Sequence, residues 1–174
     1  MDLPRRKPLR LPDYDYSTPG AYFVTICTEE KRCIISRIRV GAIHESPAAL
    51  VSLTREGRCV ERVITALPER YPELQLDHYV IMPNHVHLLL QIKAERAIRE
   101  SPLQSDGKRS RLDKAIGYLK MNSSKLVHSF QPELKLWQRS YHEHVVRNEV
   151  DYLKIWNYID SNPGKWTEDR YWAE

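Results

Sequence analysis

The sequence predicts an α+β domain of the ferredoxin-like kind, a split β-α-β antiparallel sheet with an added C-terminal helix. Three observations carry that expectation. Short runs of β-branched and aromatic residues alternate with longer stretches of helical period. Two of those runs flank Pro83-Asn84, a turn-like pair, and predict two tightly joined antiparallel strands. The elements then fall in the order strand, helix, strand, strand, helix, strand, followed by one more helix.

Residues 20–28, GAYFVTICT, predict the first strand, and RCIISRIRV, after the charged turn TEEKR, predicts a shorter partner for it. From Ala48 to Arg70 leucines and valines recur at roughly helical spacing, and the prolines of LPERYPE stop that helix. LQLDHYVIM and HVHLLLQI are the two hairpin strands. Residues 95–110 are polar, broken and partly basic, and predict a mobile loop. A helix follows from about Leu112 to Phe130. KLWQRSYHEHVV then supplies a strand and NEVDYLKIWNYIDSN the last helix.

A chain of 174 residues with 41% hydrophobic content suits a single domain over 1–174 that can bury a real core. The net charge is only +4, so basic residues matter where they cluster. RRKPLR at 5–10 makes 1–17 a basic N-terminal arm, which reads either as a solvated tail or as an arm lying on phosphates. Cys27, Cys33 and Cys59 form no CxxC pair and are odd in number, which argues against a disulfide framework and a four-thiolate zinc site. No stretch reaches the ~20 apolar residues of a membrane span, and no apolar h-region follows the basic start. A soluble, cytoplasmic protein is expected.

The stretch YVIMPNHVHLLLQI puts two histidines one residue apart inside an otherwise apolar run. Side chains alternate faces along a strand, so His85 and His87 point the same way, about 7 Å apart at the Cβ level. Val86, Leu88, Leu90 and Ile92 form an apolar row for the core, leaving the histidines with Leu89 and Gln91 on a mixed surface. Two imidazoles there either converge on one metal ion with a third group or sit on a half-exposed strand. A second pair, His142 and His144, brackets Glu143, which marks an exposed edge or strand end.

The last helix offers the third group. Tyr152, Ile155, Trp156 and Ile159 form its inward stripe, and Tyr158 and Asn162 fall together on the flank, one turn apart. Asn148 caps its start and Pro163-Gly164 disfavours its continuation. A phenol can attack phosphorus and an amide oxygen can bind a hard cation. Tyr118 and Asn122 repeat the same spacing beside the stripe of Leu112, Ala115, Ile116 and Leu119, so spacing alone does not choose between the two pairs.

IMPNHVHLLL resembles the His-hydrophobe-His strand of the single-tyrosine HUH transposases of small insertion sequences. More narrowly, RLPDYDYSTPGAYFVTICT, YVIMPNHVHLLL and WQRSYHEHVVRNEVDYLKIWNYIDSNPGKW together resemble the REP-associated tyrosine transposases, which act on repetitive extragenic palindromes of bacterial genomes. The three blocks cover most of the chain in the family's order, although ISRIRVGAIHESP lacks the family's usual phenylalanine-glycine. The resemblance implies metal ligands at His85, His87 and Asn162 and a nucleophile at Tyr158, with Mg2+ or Mn2+ as cofactor. Tyr118 matches no motif tyrosine. It also implies a single-strand DNA endonuclease and strand transferase, a DNA transposition enzyme acting on hairpin DNA through a 5′-phosphotyrosine.

Phosphate contacts are then expected from Arg5, Arg6, Lys7, Arg10, Lys108, Arg109, Arg111, Lys114, Arg139, Arg147 and Lys154. Tyr14 or Tyr16 is available to stack on bases. Lys154, one turn before Tyr158, would favour the phenolate by charge. A DNA-binding protein of this kind would associate with the nucleoid, as a monomer or a homodimer. The competing readings are a silenced transposase that only binds nucleic acid, and a zinc hydrolase using His85, His87, His142 and His144.

Overall fold

The computed structural model describes residues 16, 18–40, 49–94 and 110–172, so most of the predicted arm and loop lie outside the described residues. Six strands and four α-helices are present among them: β1 (Gly20–Cys27), β2 (Ser36–Val40), β3 (Ala49–Leu53), α1 (Arg55–Thr65), α2 (Leu67–Arg70), β4 (Leu74–Ile81), β5 (His85–Ile92), α3 (Arg111–His128), β6 (His142–Val146) and α4 (Glu149–Ser161). A short 3-10 helix, Pro163–Glu168, follows α4. The main sheet has the order β4-β5-β1-β6, antiparallel throughout. That is the ferredoxin-like arrangement, with α4 as the addition.

Both faces of this sheet are covered, which is why β5 reads as an almost unbroken apolar run. Val86, Leu88, Leu90 and Ile92 of β5 join Tyr22, Val24 and Ile26 of β1 in one core. Val60, Val63 and Ile64 of α1 and Leu112, Ala115, Ile116 and Leu119 of α3 close that core. On the other face Leu89 meets Ile155 and Ile159 of α4, flanked by Phe23, Val80, Val146, Tyr152 and Trp156. Three contacts fasten α4 to β4. The Tyr152 hydroxyl donates to Asp77 Oδ2 at 2.9 Å, His78 Nε2 lies 2.7 Å from Asp160 Oδ1, and the His78 ring stacks on Trp156 at 4.4 Å. Asn148 caps α4 as the sequence predicts, its side chain accepting from the Asp151 amide.

Two expectations are corrected. RCIISRIRV is not a partner of β1: its strand, β2, pairs with β3 in a separate two-stranded ribbon. The edges of β1 are already taken, one by β5 and the other by β6, so β2 finds its hydrogen bonds elsewhere. The helix expected from Ala48 begins instead at Arg55, because Ala49–Leu53 is β3 and Thr54 caps α1 by accepting from the Gly57 amide at 3.0 Å. Gly57 lets that junction close: a Cβ there would lie 1.8 Å from the Ile35 carbonyl oxygen. Among the described residues no helix is long and apolar enough to cross a membrane.

Candidate metal and tyrosine site

The mixed surface expected around the histidines is buried instead. His85 and His87 are both 0% exposed, beneath α4 and the segment that follows it. Register explains their common direction, for they face the same side of β5, opposite Cys27 and Thr25 of β1. Their Nε2 atoms converge to 3.0 Å. Each Nδ1 is held from behind: His85 Nδ1 lies 2.8 Å from Asn84 Oδ1, and His87 Nδ1 lies 2.8 Å from Thr25 Oγ1.

The Asn84 amide is oriented by its own donors, which reach the Tyr171 and Lys31 carbonyls at 2.7 and 3.1 Å. Its oxygen therefore accepts from His85 Nδ1–H, which leaves a lone pair on His85 Nε2. Thr25 accepts or donates by rotating its hydroxyl, so His87 needs only a tautomer change to aim a second lone pair at the same point. Burial, the largest influence on both rings, lowers the pKa of His85 to about 4 and of His87 well below the ordinary value. Both imidazoles are neutral at physiological pH, the form that binds a metal.

Asp169 completes the cluster, with a carboxylate oxygen and one nitrogen of each histidine all within 4.8 Å of one another. It stands just past the 3-10 helix, fixed by the Tyr171 amide donating to Oδ1 at 2.6 Å and by Asn162 Nδ2 donating to Oδ2 at 2.8 Å. The remaining amide atom, Asn162 Oδ1, is a buried acceptor with no partner among the described residues. The sequence pointed to Asn162 and missed Asp169, a lone acid in a tail without periodicity. The available signal was aromatic: Trp166 and Tyr171, after Pro163-Gly164, mark a segment that packs, and their rings stand 6.1 and 4.7 Å from that of His85.

Tyr158 reaches this cluster from α4. Its hydroxyl donates to Asp169 Oδ2 at 3.2 Å and lies 3.4 Å from His87 Nε2, while its ring meets Phe23 edge-on. Burial, and then the Asp169 carboxylate, push its phenol up to about 12. The cation that opposes this is Arg170, not Lys154, which instead lines a groove with His144, Arg147 and Asp151.

The other predicted residues lie apart from the cluster. Tyr118 sits on α3, across the sheet from α4, packed on Tyr71 with ring centroids 5.8 Å apart. His142 and His144 are exposed on the edge strand β6, and His144 pairs with Asp151 at 2.8 Å, so the four-histidine arrangement does not form. Lys114, Arg139 and Arg147 are exposed and Arg111 is half-buried. Arg5, Arg6, Lys7, Arg10, Tyr14, Lys108 and Arg109 lie outside the described residues.

The fold so defined is a four-stranded ferredoxin-like sheet with a helix laid over its histidine-bearing face. It is shared with a REP-associated tyrosine transposase whose structure is solved bound to a REP hairpin. That alignment has a TM-score of 0.55 and 18% identity, and covers 95% of this chain and 74% of that one. A second solved structure, described as a candidate transposase of Deinococcus radiodurans, aligns at a TM-score of 0.46 and 18% identity, over 87% of this chain and 95% of the other. By sequence the chain is 29% identical to an uncharacterized protein of Haemophilus influenzae over 177 aligned positions, covering 97% of this chain and 94% of that protein. No family model matches. The shared fold is that of the family which the three sequence blocks resemble.

Proposed function

We propose that the protein is a REP-associated tyrosine transposase, a divalent-metal-dependent enzyme that nicks and rejoins single-stranded DNA beside a hairpin. The observation that carries this reading is the meeting of Tyr158 with Asp169 and His87 within one chain, 3.2 and 3.4 Å respectively from the phenol oxygen. Two neutral imidazoles, a carboxylate and a buried amide oxygen without a partner among the described residues fit a divalent cation. His85, His87 and Asp169 would hold it, with Asn162 Oδ1 at hand. Such a cation supplies charge stabilisation at a nonbridging oxygen of the scissile phosphate. The mixed nitrogen and oxygen donors suit Mn2+ better than Mg2+.

The chain's own residues supply the rest. Tyr158 Oη attacks phosphorus in line, forming the Oη–P bond as the P–O3′ bond breaks. The phenol proton passes to Asp169 Oδ2, which already accepts from it. The departing 3′ oxygen takes a proton from solvent, which leaves a free 3′-hydroxyl and a 5′-phosphotyrosine. No water enters the phosphoryl transfer, so the bond is kept for rejoining. Asn84 and Thr25 hold the imidazoles in place from behind.

The test is incubation with Mn2+ and a DNA hairpin labelled on the 3′ side of the cleavage point, run on a denaturing gel. A covalent protein–DNA band is expected. His85→Ala and His87→Ala should each abolish it while hairpin affinity stays near wild type. Equal loss of binding and cleavage would point to a structural role for the histidines.

A further inference from the structure

We propose that the outer face of the β2–β3 ribbon, together with Arg55 at the start of α1, seats the duplex stem of the DNA hairpin. The proposal rests on the hairpin-DNA reading above and extends it to a surface with no assigned role. Strand alternation puts Arg37 and Arg39 on one face of β2, and the register sets them opposite Ser52 and Leu50 of β3. All four side chains are exposed, whereas Ser36 is buried. Arg37, Arg39, Arg55, Ser52 and Gln131 line a groove of about 660 Å³. Arg55 is held in place by its guanidinium lying 3.8 Å over the Phe130 ring.

Charge decides what the groove accepts. Glu56 is the only acid among the described lining residues, and it already accepts from Gln131 Nε2. Neither Arg37 nor Arg39 has a carboxylate partner among the described residues. Three guanidiniums against one engaged carboxylate favour a polyanion, and the guanidinium fork matches phosphate oxygens. No aromatic ring is among the described lining residues, so unpaired bases would find no stacking platform. Arginine, serine and glutamine are instead the side chains that contact the backbone of a duplex.

The position suits a stem running toward the site. The Ile35 amide, at the root of β2, donates to the Pro83 carbonyl at 3.1 Å, two residues before His85. The ribbon also packs against Pro163–Glu168, the helix that leads to Asp169. A stem on this face would lie on the same ribbon that touches the segment leading to Asp169. The sequence concealed the surface, because a strand read as a neighbour of β1 would have had both faces inside the main sheet.

Hairpin binding measured over a salt series separates the alternatives. Each lost phosphate contact takes about 0.9 from the slope of log affinity against log salt on duplex DNA. Arg37→Ser/Arg39→Ser should flatten the slope by about 1 to 2 and weaken hairpin binding by about tenfold or more at low salt. Arg37→Lys/Arg39→Lys should keep the wild-type slope, as should Lys93→Ser, beyond the opposite end of β5. Binding of an unstructured single strand should be unaffected by the double serine variant. Thermal melts of the exposed substitutions should match wild type. An unchanged hairpin slope, or equal loss on the single strand, would overturn the stem assignment. Covalent adduct formation is read separately: adduct with an unchanged slope sinks this proposal alone, and a flattened slope in a protein that forms no adduct sinks the catalytic reading alone.

Discussion

At the residue scale the site is a buried pair of neutral imidazoles next to one carboxylate, and its titration has consequences. An unfolded histidine titrates near pH 6.5, whereas His85 is depressed to about 4 when folded. Between those values the unfolded chain binds a proton that the folded chain does not. Stability from this group is thus fully present above pH 6.5 and lost as pH falls toward 4, and His87, shifted the same way, adds to it. Melting temperature without metal should fall across that window, and His85→Asn/His87→Asn should flatten the fall. Tyr158 shows the opposite problem, a phenol raised to about 12 that must lose its proton near neutral pH. Asp169→Asn, assayed at saturating Mn2+, should slow adduct formation by on the order of 100-fold or more, and the residual rate should climb steeply with pH as phenolate accumulates. A wild-type rate and pH profile in that variant would remove Asp169 from the proton path.

At the scale of elements, α4 rests on a smaller buried cluster than the one that closes the other face of the sheet. Its buried cluster is small, with Leu89, Ile155 and Ile159 at its centre. Ile159→Ala should cost about 2–5 kcal/mol. Hydrogen exchange should show α4 amides opening before those of β1 and β5, with the gap wider in the variant. Lost protection spread evenly over α4 and β5 would contradict this. The elements that build the site were legible because their patterns are strong. The apolar row Val86, Leu88, Leu90 and Ile92, the Pro83-Asn84 turn and the stripe on α4 each have one physical interpretation. The ribbon was not legible: RCIISRIRV reads as a strand, but local sequence does not say whose edge it pairs with. Apolar residues of ALVSL also merged with those of α1 into one apparent helical run. Asp169 escaped notice because its role comes from a fold-back after Pro163, not from any spacing.

For the whole molecule, the sheet is the ruler that sets the distances. β5 places the histidines, β1 supplies Thr25 behind His87, and α4, crossing the same face, brings in Tyr158. The tyrosine on α3 is separated from the histidines by the thickness of the sheet, so of the two tyrosines that share this spacing it is Tyr158 whose hydroxyl reaches them. The most direct measurement is therefore the address of the DNA on the protein. Wild-type adduct formed with Mn2+ is trimmed by nuclease, digested by protease and mapped by mass spectrometry. The residual 5′-phosphonucleotide should be on the peptide and side chain of Tyr158, and Tyr158→Phe should form no adduct while Tyr118→Phe forms it at close to the wild-type rate. A nucleotide on Tyr118, Tyr152 or Tyr171, or adduct persisting in Tyr158→Phe, would contradict the assignment of Tyr158 as the nucleophile.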